Sequence, residues 1–161
     1  MADSKPEMID PPNTLKSKVG VGGPGAVDPE TLARAEKVIA DLADNYLEWA
    51  HEDMAKLQGA LEDLISEGGD QKDKIAKVFQ VSHDMKGQGG SFGYDLITTI
   101  GNGLCRYLEN REEVGAAEIE AIKLHVGSMQ VVLTKGIKGE GGEIGVQLLN
   151  GLEQVIAKVS K

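Results

Sequence analysis

The chain has 161 residues, 40% of them hydrophobic, enough for one domain with a buried core. Its 17 Lys and Arg against 26 Asp and Glu leave a net charge of -9, which repels phosphate backbones and excludes nucleic-acid binding by bulk charge. A single cysteine, Cys105, excludes an internal disulfide framework and clustered-thiol metal sites, and points to a reducing compartment.

Residues 1–28 read as a disordered tail: Pro6, Pro11, Pro12 and Pro24 alternate with Gly20, Gly22, Gly23 and Gly25 and leave little to bury. The opening MADSKPEMIDPPN has no apolar run, and nothing later approaches about 18 consecutive apolar residues. Neither a signal peptide nor a membrane span is expected, and the placement is cytoplasmic. The helical domain, residues 29–161, starts at Asp28-Pro29-Glu30, which supplies an N-cap, a first-position proline and a first-turn acid. Leu32, Ala35, Ile39, Leu42, Tyr46 and Trp49 then step by three or four, as one helical face does, and the stripe continues, slightly shifted, through Met54, Leu57, Leu61 and Leu64. The shift suggests an additional or bent N-terminal helix, with the bend near Ala50 and His51. Glu67-Gly68-Gly69-Asp70 breaks it.

A second helix runs from about Gln71 into a cluster of glycines. A third, from about Gly93 to Asn110, turns Leu96, Ile97, Ile100, Leu104, Tyr107 and Leu108 inward. A fourth takes Ala117 to Lys135, with Ile119, Ile122, Val126, Met129, Val132 and Leu133 as its buried set. After the glycine-rich loop 136–142, a last helix carries Ile144, Leu148, Leu149, Leu152, Val155, Ile156 and Val159. No segment alternates with period two, so the expectation is an all-α fold, an antiparallel four-helix bundle.

The stretch VSHDMKGQGGSFGYD, residues 81–95, is where chemistry enters. At about 100° per residue, Val78, Val81, Ser82 and Met85 cluster on the core side, and His83 falls about 150° away from them. Lys86, Gly87 and Gly90 share the histidine's side one and two turns on, and Phe79 shares it one turn before. An imidazole is substantially neutral near pH 7 and can accept a phosphoryl group without an added base. Lys86 can set a flexible positive charge against the transferred oxygens. Glycines here cost helix stability, about 1 kcal/mol each relative to alanine, and what they provide is close approach of another protein's surface.

His83-Asp84-Met85-Lys86-Gly87, followed by Gly90 and Gly93, resembles the H-x-x-K-G-x-x-G-x-x-G signature of histidine-phosphotransfer (HPt) domains. The resemblance is clearest over Leu32 to Leu108; the last two helices share only their amphipathic pattern. It implies a four-helix bundle that presents the histidine on its second helix and shuttles phosphoryl groups between receiver-domain aspartates. It further implies that His83 is phosphorylated, that Lys86 is its charge partner, that Gly87 and Gly90 leave room for the receiver, and that Gly93 sits at the turn into the next helix. Partners would be receiver domains of response regulators and of hybrid histidine kinases, and the protein would act as a monomer. No cofactor or metal of its own is implied, Mg²⁺ being expected on the receiver. The pattern departs at Cys105, the position equivalent to a glutamine or glutamate in many members. Thr98, Gly101 and Asn102 share that face by spacing, which makes it small-chained, and Asn102 is the candidate for polar help. With Phe79, Gly87 and Gly90, these four residues make up the candidate docking face.

Other readings are weaker. His51 and His125 lack such company, and Cys105 needs no redox role. Gly87 and Gly89 are followed by Phe92 where a dinucleotide fingerprint needs its third glycine, and no strand precedes them. No P-loop and no kinase-type ATP lid occurs, so the chain is not expected to phosphorylate itself from ATP. The alternatives to a phosphorelay carrier are a non-catalytic helical adaptor and a phosphate sink that regulates a response regulator.

Overall fold

The computed structural model describes residues 28–160 and, among them, folds into five α-helices and one short 3₁₀ helix, with no strand. The tail expected at 1–28 lies, except for Asp28, outside the described residues. Helix α1 spans Pro29–Ile65, α2 Gln71–Gly89, α3 Asp95–Leu108, α4 Ala116–Thr134 and α5 Gly142–Val159; Gly90–Phe92 forms the 3₁₀ helix between α2 and α3. Successive helices from α2 to α5 pack against each other across short connections, which makes neighbours antiparallel.

Helix α1 is helical without interruption through Ala50 and His51, with neither proline nor glycine at that point. It corrects one expectation, since its early apolar stripe is not core: Leu32, Ile39, Leu42 and Trp49 are 52%, 58%, 41% and 40% exposed. Spacing places residues on one face, but burial needs a neighbour on that face. The buried face is instead Tyr46, Ala50, Met54, Leu57, Leu61 and Leu64. Trp49 lies about 60° round the helix from Tyr46 and about 100° from Ala50, off that line. Leu57 is fully buried, so Leu57→Ala would remove about 2–5 kcal/mol.

Gly68 and Gly69, at φ 83° and 78°, end α1, and Asp70 starts α2 by accepting the Lys72 N–H at 2.8 Å. Lys74 is buried and donates to the Ser66 carbonyl and hydroxyl at 2.9 and 3.1 Å. Helix α1 has no basic residue in its last turn, so a lysine from the next helix supplies the positive charge favoured there. Helix α3 buries all six residues its pattern selects, Leu96 through Leu108. On α4, Ile122, Val126, Met129, Val132 and Leu133 are buried as expected, with Ile119 partly so and His125 added at 3% exposure. On α5 only Gly145 and Leu152 are fully buried, and Ile144 is 51% exposed, against expectation. The α-carbon of Gly145 packs so tightly on the Glu140 carbonyl that any Cβ would overlap it.

The loop 135–141 closes on the start of α3. Gly139 N–H donates to the Gly93 carbonyl at 2.7 Å, and Leu96 N–H donates to the Gly139 carbonyl at 3.0 Å. Gly93, at φ 78°, makes the left-handed turn that brings the chain from α2 into α3. The two helices carrying the signature residues are therefore pinned at their shared end.

Candidate functional site

Helix α2 orients the site because its opposite face is fully committed. Val78, Ser82 and Met85 are buried, and the Ser82 hydroxyl is satisfied by the Val78 carbonyl at 2.7 Å. His83 is thereby turned outward, its side chain 53% exposed. Its ring lies over Phe79, with centroids 6.0 Å apart and planes 22° apart. Nδ1 is 3.8 Å from Asp84 Oδ1, and Asp84 is itself held by Gln80 at 3.0 Å. Both partners of the His83–Asp84 pair are more than half exposed, so it orients the ring without contributing much stability. The Nε2 edge is the end of the ring away from Asp84.

Lys86 stands one turn on. Its ammonium donates to Asn102 Oδ1 at 3.4 Å, and its Cβ lies where a Cβ on Gly101 would approach to 3.1 Å. Thr98 Oγ1 donates to the Lys86 carbonyl and accepts the Gly90 N–H, both at 2.8 Å, so one hydroxyl ties the end of α2 to α3. Cys105 is buried, its thiol directed at the Phe79 carbonyl at 4.0 Å. Burial pushes that thiol's pKa up, with the Lys86 charge opposing. The small-chained face of α3 is thus the surface on which α2 packs closely, with Gly101 and Cys105 under it and Thr98 and Asn102 at its edge.

The glycines divide by surroundings. A Cβ at Gly87 would meet nothing within 4 Å. At Gly90 it would come within 3.3 Å of Thr98 Oγ1. Gly89, which falls at a free position of the signature, is the most restricted of the three: a Cβ there would lie 3.0 Å from both the Tyr94 carbonyl and Ile97 Cβ. Its burial is what distinguishes it, and a glycine count cannot show that. The structure also brings in Asp53 and Lys56 of α1, paired at 2.7 Å. Together with Val81, His83, Asp84, Gly87 and Gln88 they line a groove of about 450 Å³. In sequence these two read as an ordinary i,i+3 surface pair, so nothing marked them. Behind the turn, Tyr46 stacks on Phe92 at 4.7 Å and packs against Tyr94 at 5.1 Å, which fixes the 3₁₀ segment against α1.

A partly exposed imidazole, an ammonium tethered beside it and a stretch of bare helix surface suit transfer of an anionic group to and from a protein partner. Among the described residues no group of three or more His, Cys, Asp or Glu could hold a metal ion, and no helix is long and apolar enough to cross a membrane. No curated protein and no solved structure matches the chain significantly. The family model described as Hpt domain matches residues 41–158, about three quarters of the chain. Hpt domains are histidine phosphotransfer carriers of two-component signalling that work with receiver domains and are not kinases. With His83, Lys86 and the α2–α3 turn inside the matched span, the chain belongs to the Hpt domain family.

Proposed function

We propose that His83 is the phosphoryl carrier of a relay, accepting from the aspartyl phosphate of one receiver domain and donating to the aspartate of another. The observation that carries this reading is an exposed imidazole with open helix surface at Gly87 on one side and the Lys86 ammonium, held by Asn102, on the other. In the transfer, Nε2 attacks phosphorus, the N–P bond forms as the receiver's O–P bond breaks, and the carboxylate leaves with the electron pair. The proton on Nδ1 stays there, facing Asp84, whose charge stabilises the imidazolium produced. Lys86 balances the negative charge on the transferred oxygens. Phe79, Gly87 and Gly90 form the docking surface beside the ring. Thr98, Gly101, Asn102 and Cys105 serve it from α3 by setting the position of Lys86 and Phe79. In this reading Mg²⁺ is held by the receiver's carboxylates, and the partners are response regulators and hybrid histidine kinases.

The test is incubation with a phosphorylated receiver and Mg²⁺. The product should be a phosphoprotein labile in acid and stable in base, as a phosphoramidate is. Labelling should disappear in His83→Gln, and full labelling of that variant would remove the assignment.

A further inference from the structure

Helix α3 borders a second feature. Thr99, Gly103 and Arg106 lie roughly 100° round α3 from the stripe of Thr98, Asn102 and Cys105, and face a cavity of about 730 Å³ between α3, α4 and α5. Its walls are mostly apolar, built from Ile100, Leu149, Leu152 and Ile156. The size is that of a small-molecule site.

Two polar atoms of wall residues have no partner among the described residues: the buried Tyr107 hydroxyl and Nε2 of His125. His125 of α4 is 3% exposed, and its Nδ1 bonds the Ala121 carbonyl at 2.8 Å, so Nδ1 carries the proton and Nε2 is an acceptor. No described residue donates to Nε2. Burial lowers the pKa of this histidine, which keeps the ring neutral and Nε2 an acceptor near pH 7. Nε2 lies against Gly103, where a Cβ would come within 3.4 Å, so the missing side chain leaves the nitrogen open to the cavity. Nε2 is reached from the cavity, so an apolar ligand that displaces water there must supply a donor or leave the nitrogen unpaired, at a cost of about 1–3 kcal/mol. The rim carries Arg106 and Arg111 against Glu109 and Glu153, a balance that favours no net ligand charge.

We propose that this cavity binds a neutral, mainly apolar small molecule with one hydrogen-bond donor, of the phenol or indole class, seated with its donor on His125 Nε2. None of the residues assigned to phosphotransfer lines it, so this site stands whether or not His83 is the carrier.

The experiment titrates the full chain with indole and with 1-methylindole, which has the same shape without the donor, by calorimetry and by the ¹⁵N shift of His125. Indole should saturate with a Kd on the order of 0.1–1 mM, given about nine non-hydrogen atoms. Its methylated analogue should bind about tenfold more weakly, the worth of one hydrogen bond. Ala157→Trp, at an exposed position on the cavity wall, should fill the space and abolish indole binding while thermal unfolding shows the fold intact. No saturation by indole at about 5 mM would overturn the proposal. So would equal binding of the two probes, retention of indole binding in Ala157→Trp, or sedimentation showing the cavity covered by a second copy of the chain.

Discussion

Gly87→Gln separates a glycine kept for a partner from one kept for the fold. Position 87 lies inside α2, and a Cβ there meets nothing within 4 Å. The substitution therefore gains helix propensity, about 0.5 kcal/mol, with no packing cost. For a domain of this size that raises Tm by about 1–3 °C. The new side chain would project beside His83 into the groove bordered by Asp53 and Lys56, where the proposed relay seats the receiver. Receiver-to-His83 transfer should fall by about 100-fold or more, because a displacement of 1 Å at a reacting centre can cost that much. Gly89→Ala is the contrasting variant: its Cβ would press on the Tyr94 carbonyl and Ile97, and should cost about 1–3 kcal/mol of stability. Thermal unfolding and transfer rate are measured on the same preparations. A Gly87→Gln protein that melts lower and transfers at the wild-type rate would show that the glycine serves the helix, and the docking argument would fail.

Lys86→Ala should hold Tm within about 1–3 °C, the ammonium's only bond among the described residues being a long one to Asn102, and should slow transfer about 10- to 100-fold; a wild-type rate would reduce Lys86 to a tether between helices. Thr98→Val removes both bonds of the hydroxyl that joins Lys86 and Gly90, and should lower stability by about 1–3 kcal/mol in chemical denaturation; an unchanged midpoint would show that water replaces them. His125 gives a pH dependence. Its folded-state pKa lies below the 6.5 of a free imidazole, so the unfolded chain takes the proton first. The stability it contributes is present above pH 6.5 and lost as pH falls below that value. The charged groups sharing its cavity are Arg106, Glu109 and Arg111 from α3 and its C-terminal connection and Glu153 from α5, with Tyr107 as the titratable neighbour. Thermal unfolding from pH 7.5 to 5.5 should show a falling Tm that flattens in His125→Leu; a wild-type Tm constant over that range would refute the buried neutral ring.

Much of this was legible because helix ends and helix faces are local properties. The break at Glu67–Asp70, the start of α2 at Gln71 and the inward set of six apolar residues on α3 each follow from a few neighbouring residues, while Gly93 takes the turn that the resemblance implies. His83 was placed outward for the same reason: Val78, Val81, Ser82 and Met85 were set on the opposite face, and of these Val78, Ser82 and Met85 are buried. What failed depended on partners far away in sequence. Leu32, Ile39 and Ile144 have core spacing, yet none of them is buried among the described residues. Asp53 and Lys56, about 30 residues upstream, line the same groove as His83, and Gly89 differs from Gly87 only through Tyr94 and Ile97. The cavity at His125 needs three helices to exist at all.

The small-chained face of α3 also bears on Cys105, which the resemblance to Hpt domains sets where many members have a glutamine or glutamate. With Gly101 bare and Cys105 buried against the Phe79 carbonyl, α3 packs closely on α2, and the thiol is turned toward Phe79. Polar support comes instead from one turn earlier, where Asn102 holds the Lys86 ammonium. A free lysine carries roughly 2 kcal/mol of side-chain entropy, and part of it is already lost here before any receiver arrives. The ammonium has three donors, so it can keep Asn102 while a second N–H meets a phosphoryl oxygen. Close helix packing and a preset cation are in this sense one arrangement: widening position 101 to admit a larger α3 side chain would push away the stem of the lysine that the proposed transfer uses.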